Sequence, residues 1–105
     1  MKTGLLIVIA MAVLGLSLDA AAGDASAAAG KARSLCAGCH GPNGISSNPL
    51  WPNLAGQQTA YLAKSMRDFK SGQRNDPMMS SIAASISDGE IDDLAAYFHA
   101  LPPGG

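Results

Sequence analysis

Aromatic side chains are scarce in this chain, whose 105 residues include one Trp, two Tyr and two Phe. So few large rings fill only a small core. Charged residues are also few, 14% of the total, and no basic stripe runs along any segment, which argues against nucleic acid as a partner. No stretch alternates apolar and polar residues as a strand would, and there is no internal repeat. With two cysteines and two histidines, the chain also lacks the second cysteine pair of a common structural zinc site.

The one long apolar run, residues 4–18, follows Lys2 and precedes Asp19-Ala20-Ala21-Ala22-Gly23. A basic start, an apolar stretch and a small-x-small site form a secretory signal peptide, cut after Ala22 with Ala20 and Ala22 as the small residues. The alternative is a retained anchor, but the run is shorter than the ~20 residues a spanning helix needs. Residues 1–22 are therefore read as a cleaved leader and residues 23–105 as one exported domain, with no stable membrane insertion once the leader is removed.

A domain of that size hides only about 60–65% of the surface its unfolded chain exposes. It calls for a staple: a disulfide, a metal or a cofactor. Its charge is near neutral, with Lys31, Arg33, Lys64, Arg67, Lys70 and Arg74 set against seven acids. Asp88, Glu90, Asp92 and Asp93 gather near the C-terminus, as at a solvated helix start.

The periodicity is helical. Residues 23–35 are Ala-rich, a good helix composition. Residues 41–56 are broken by Gly, Pro, Asn and Ser and read as a loop. Residues 59–71 place Tyr61, Leu62, Ser65, Met66 and Phe69 on one face, with Gly72 as the C-cap. A second loop is expected over 73–79, then a short helix over 80–86. Ser87 and Glu90 have capping-box spacing, opening a helix that carries Ile91, Leu94, Ala95, Phe98 and Leu101 on one stripe until Pro102-Pro103. The fold expected is all-α, with long loops that suit a small domain only if they wrap something large.

Chemistry concentrates at Cys36-Ala37-Gly38-Cys39-His40. This is the spacing of a c-type haem attachment. Two intervening residues let both thiols reach the vinyl groups on one side of a porphyrin, and the adjacent imidazole turns to the iron. Ala37 and Gly38 are small enough to let the macrocycle approach the backbone. A dithiol redox motif wants a strand-rich setting, which is missing, and a plain disulfide explains neither His40 nor the thin core. An iron held by His takes Met as its usual electron-transfer partner, which raises the potential. Met66 falls on an apolar helix face, as core. Met78 and Met79 follow Pro77 in a polar loop, where the chain can return over the far side of the haem.

Together these segments resemble the class I c-type cytochromes, in particular a single domain of the periplasmic c4-type dihaem proteins and their short monohaem relatives. The resemblance rests on Cys36-Ala37-Gly38-Cys39-His40-Gly41, Pro52-Asn53-Leu54-Ala55-Gly56-Gln57, Tyr61-Leu62, Phe69-Lys70-Ser71-Gly72-Gln73-Arg74, Met79 and Leu94-Ala95-Ala96-Tyr97-Phe98. It implies three to five helices around one covalently bound haem c and its iron. It implies Met79 as the axial partner of His40, with Met78 the runner-up, and a Pro52 carbonyl accepting from the His40 ring. It further implies first and last helices crossing through a small residue, Gly30 or Ala29, against Tyr97. Trp51, Gln57 and Arg74 become candidates for the haem edge or a propionate.

A closed six-coordinate iron makes an electron carrier, not an enzyme. The partners to expect are redox proteins of the respiratory chain or the periplasm: a membrane cytochrome complex, a terminal oxidase or a periplasmic dehydrogenase. The alternatives are a haem enzyme or sensor with an open sixth site, or a haem subunit of a larger oxidoreductase. No cluster of His, Arg and Glu is set for acid–base work on a bound peroxide, and His99, the only other His, falls on the last helix as a surface or packing residue.

Overall fold

The computed structural model describes residues 3–10 and 23–104. Residues 3–10 form no regular element and expose Leu5 through Ile9. The cleavage site proposed at Ala22 lies outside the described residues. From Asp24 onward the described chain is helical, without strands. No helix among the described residues is long and apolar enough to cross a membrane.

Helix α1 (Ala25–Lys31) opens at Asp24, whose carboxylate accepts from the Ser26 and Ala27 amides at 3.0 and 3.4 Å. That side chain satisfies donors that have no partner inside the helix. The helix does not stop where its Ala-rich stretch ends. It passes through one π turn (Ala32–Cys36) into α2 (Ala37–His40) and ends only at Gly41, where φ is +86°. A π turn inserts an extra residue per turn, so every later side chain is re-aimed about the axis by about 100°.

Helix α3 (Thr59–Ser71) stops at Gly72 in the left-handed conformation, as expected. Helix α4 (Met79–Ala84) starts one residue earlier than expected, where Ser80 N–H donates to the Asp76 carbonyl at 3.0 Å and the Asp76 amide donates to Ser80 Oγ at 3.1 Å. Helix α5 (Asp88–Ala100) begins with the capping box in full. Glu90 N–H donates to Ser87 Oγ at 3.2 Å, and Ser87 N–H donates to the Glu90 carboxylate at 3.0 Å.

The core lies where α5 crosses α1 and packs on α3. Ala28, Ala32, Leu62, Ala63, Ile86, Ile91, Leu94, Ala95 and Phe98 are buried in it. The α5 stripe is as expected, but two other faces differ. On α1 the buried residues are Ala28 and Ala32, one turn apart, while Gly30 is exposed with nothing within 4 Å of where a Cβ would be. Two ties to α5 accompany this roll: Asp24 N–H donates to Asp93 at 2.7 Å, and Lys31 pairs with Glu90. On α3, Leu62 and Ala63 are buried while Tyr61 is 55% exposed and Met66 and Phe69 are half-buried, because α3 contacts both α4 and α5.

The acids near the C-terminus stand at the start of α5, with Asp88 and Glu90 in its first turn, and they are also paired. Arg67 of α3 reaches Asp92 at 2.9 Å and Asp88 at 3.8 Å, and Lys70 donates to the Ile86 carbonyl. The separation of bases and acids along the chain is thus resolved by pairing within the fold.

Glu90 links two elements, since one carboxylate oxygen caps α5 and the other meets Lys31 of α1. Lys31 first, then the Ser87 amide, hold its carboxyl down at about 2 from an ordinary 4.5. A carboxyl depressed by folding stabilises the protein above its unfolded pKa, and that stability is lost as pH falls through the folded value. Melting temperature is therefore expected to fall between about pH 4.5 and pH 2. Glu90→Gln should flatten that limb and lower the melting temperature at neutral pH. An unchanged acid limb in the variant would assign the loss to other carboxylates.

Candidate functional site

The π turn delivers Cys36 and Cys39 half-buried and His40 buried, 8% exposed, at the end of one continuous helical rod. Both thiols are free. Cys36 is one of the partly buried groups packed against the core, as are Leu35, Leu54, Met66, Ile82, Tyr97 and Leu101. That burial pushes its thiol up to about 11. A redox-active dithiol works the other way, with one thiol lowered so that it attacks as thiolate. Among the described residues, no three His, Cys, Asp or Glu side chains converge to hold a bare ion.

His40 Nδ1 lies 2.8 Å from the Pro52 carbonyl. A carbonyl only accepts, so Nδ1 carries the proton and Nε2 keeps its lone pair free for a metal. The loop over residues 41–58 holds this arrangement by its own bonds. Gly41, at φ +86°, brings the chain so close to Ile45 that a Cβ would stand 1.9 Å from the Ile45 carbonyl oxygen. The Gly44 carbonyl accepts from both Leu54 and Ala55, at 2.8 and 3.0 Å. Ser46 N–H donates to Asn53 Oδ1 at 2.7 Å, and Ser46 Oγ lies 3.1 Å from the Cys39 carbonyl. The far end of the loop is fastened to α5: Gly56 N–H donates to the Phe98 carbonyl at 2.9 Å, and His99 Nδ1 to the Gln57 carbonyl at 2.7 Å.

The other candidates divide. Met79 is half-buried at the first position of α4, while Met78 before it is 51% exposed. Met66 is only partly buried against the core. Trp51 stands in the loop, 38% exposed, beside Pro52 in the wall of a shallow concavity of about 480 Å³. The Gln57 side chain accepts from the next amide, Gln58, at 2.8 Å, and Arg74 lies 4.3 Å over the Phe69 ring. Neither is shown turned toward Cys36–His40. Ser46 and Asn53 had no role assigned from sequence, because Ser and Asn in a loop look like ordinary turn formers.

The donor set suits a covalent haem. Two thiols one turn apart can each add to a vinyl group, and the neighbouring imidazole has its metal-binding nitrogen free. Cys36 itself packs against the core, so a macrocycle attached there would lie against that core.

The comparisons agree with this class of protein. The family model for cytochrome c matches residues 21–102. The chain belongs to the cytochrome c family, whose cofactor is covalent haem c with its iron, one for a single domain such as this. It is 45% identical over 94 residues to cytochrome c4 of Pseudomonas aeruginosa, a match covering 89% of this chain and 46% of that one. To cytochrome c4 of Thiocapsa roseopersicina it is 44% identical over 80 residues, covering 76% and 41%. The chain thus spans under half the length of these relatives. Cytochrome c-554(548) of Halomonas halodenitrificans is matched over 95% of its length, at 41% identity and 73% of this chain. A thiosulfate dehydrogenase electron acceptor of Stutzerimonas stutzeri is 39% identical, covering 88% of this chain and 45% of that one. The crystal structure of reduced cytochrome c4 from Pseudomonas stutzeri superposes with a TM-score of 0.63 at 36% identity, covering 77% of this chain and 52% of that one.

Proposed function

We propose that the chain is an exported, periplasmic carrier of single electrons. In this reading Cys36 and Cys39 hold the haem through thioethers, His40 and Met79 are its axial ligands, and the Pro52 carbonyl orients His40. The observation that carries it is the buried His40 ring with Nδ1 donating to Pro52 at 2.8 Å, which leaves Nε2 as the only metal-binding nitrogen. Haem supplies a reversible one-electron change at iron. The protein's own part is to keep His40 in one tautomer, to raise its basicity through the Pro52 bond, and to keep water from the attachment turn. No substrate is turned over, so no acid or base is needed.

Partners are redox proteins met briefly, through interfaces below about 1,200 Å². A membrane cytochrome complex, a terminal oxidase or a periplasmic dehydrogenase fits. The similarity to a thiosulfate dehydrogenase electron acceptor favours a dehydrogenase as donor, and with it a second reading in which the chain works as a haem subunit of such an enzyme.

Substitution of the sixth ligand tests the carrier reading. Met79→Ala should lower the reduction potential markedly, remove the weak long-wavelength ferric band of thioether ligation, and admit cyanide and carbon monoxide. Met78→Ala should do much less, as its side chain is 51% exposed. Ligand loss in Met78→Ala instead would move the axial residue by one and leave the carrier standing. Ready carbon monoxide binding by the unaltered ferrous protein at neutral pH would replace the carrier with an enzyme or sensor.

A further inference from the structure

We propose that Asn53 is a positioning residue for the haem ligand, setting the Pro52 carbonyl against His40 and through it the reduction potential. The proposal rests on the reading of His40 as an axial ligand.

Pro52 has no N–H, so its own backbone offers only the carbonyl that meets His40 Nδ1 at 2.8 Å. The direction of that carbonyl is the direction of the peptide plane joining Pro52 to Asn53, and two torsions set it, ψ of Pro52 and φ of Asn53. Asn53 fastens the second from its own side chain, because Oδ1 accepts from the Ser46 amide at 2.7 Å across the loop. The next two amides, Leu54 and Ala55, both donate to the Gly44 carbonyl at 2.8 and 3.0 Å. Residues 53–55 are therefore clamped to residues 44–46 immediately beyond the carbonyl.

Ser46 carries the clamp back to the attachment turn. Its hydroxyl lies 3.1 Å from the Cys39 carbonyl and 2.9 Å from that of Asn48, sharing one proton between two acceptors, while the Asn48 amide donates to it at 3.1 Å. The clamp thus holds Cys39 at one end and the Pro52 carbonyl at the other, and His40 lies between them in the bonded circuit. The Ser46, Asn48 and Asn53 side chains along this part of the concavity are engaged with backbone groups, which makes them a brace and not a ligand site.

The sign of the potential change separates positioning from mere loop support. A well-aimed Nδ1–H···O=C bond makes the imidazole a stronger donor and favours ferric iron. Weakening it raises the potential. A loop that simply opened would admit water, favour the charged ferric state and lower the potential.

The test uses holoprotein with Asn53→Ala and Asn53→Asp. Ring signals of His40 at the ring-current-shifted positions of an axial ligand, in the reduced wild-type NMR spectrum, establish the ligation itself. Asn53→Ala is then expected to speed solvent exchange of the His40 Nδ1 proton at least tenfold and to raise the potential. Asn53→Asp keeps the acceptor oxygen and should restore slow exchange, although its added charge moves the potential by itself. If the wild-type ring signals are unshifted, both the ligation reading and this proposal fall. With shifted signals, the proposal alone falls if Asn53→Ala leaves exchange unchanged, lowers the potential, or is not rescued by Asp.

Discussion

Replacing Cys36 and Cys39 together by Ala is expected to yield a colourless chain with weak helical signal, rapid proteolysis and no cooperative melt, even when it is produced alongside haem-attachment machinery. The core explains the size of the effect. Its large, fully buried side chains are Ile86, Ile91 and Leu94, and Ala28, Ala32, Ala63 and Ala95 fill much of the rest. Alanine adds little apolar area, and a domain of this size retains little stability without a staple. The unaltered protein should in contrast keep its colour through acid–acetone extraction and weigh one haem more than its polypeptide. Circular dichroism and limited proteolysis of the double variant decide the matter. A cooperative melt from it would mean that the protein core suffices alone.

Gly41→Ala should be the most damaging single change near the site. Its backbone sits at φ +86° and ψ 153°, a region open essentially to glycine alone, which costs of order 1–3 kcal/mol for any other residue. The new Cβ would also stand 1.9 Å from the Ile45 carbonyl oxygen, a backbone atom that cannot swing aside. Strain and clash together should remove about 3 kcal/mol or more, or roughly 10–25 °C of melting temperature for a domain this small. Gly72→Ala is the milder control: φ is +87° and ψ 5°, the ordinary left-handed region, and nothing lies within 4 Å of the added carbon. It should cost only about 1 kcal/mol. Equal losses in thermal melts of the two variants would show that the close approach at Ile45 contributes nothing.

Some of this was legible residue by residue because the causes are local. Gly72 ends α3 by accepting a left-handed backbone, and Ser87 with Glu90 opens α5 through bonds three residues apart. The α5 stripe follows from helical spacing alone. The reading of Cys36, Cys39 and His40 as an attachment turn rests on a different ground: two thioethers and one iron bond formed from a single turn would demand that spacing, whatever the rest of the chain does.

Other features depend on elements that meet only in the fold. Whether the first rod turns Gly30 or Ala28 and Ala32 to the core depends on how it packs on α5, where Lys31 and Asp24 meet Glu90 and Asp93, more than fifty residues away. The charges of Arg67 and Asp92 have no visible relation along the chain and become partners only because α3 lies on α5. The π turn at Ala32–Cys36 has no signature in its five residues. It re-aims the attachment turn relative to the α1 face that binds α5, a need that arises only once both are packed. Asn53 reads as a loop residue until Ser46 is placed across from it. Sequence by itself determined the end of α3, the start of α5 and the family, since caps and motifs act over a few residues. The tertiary structure alone decided how α1 is rolled, which charges pair and what holds the Pro52 carbonyl on His40, since each of these is a contact between segments whose order in the chain says nothing of their distance in space.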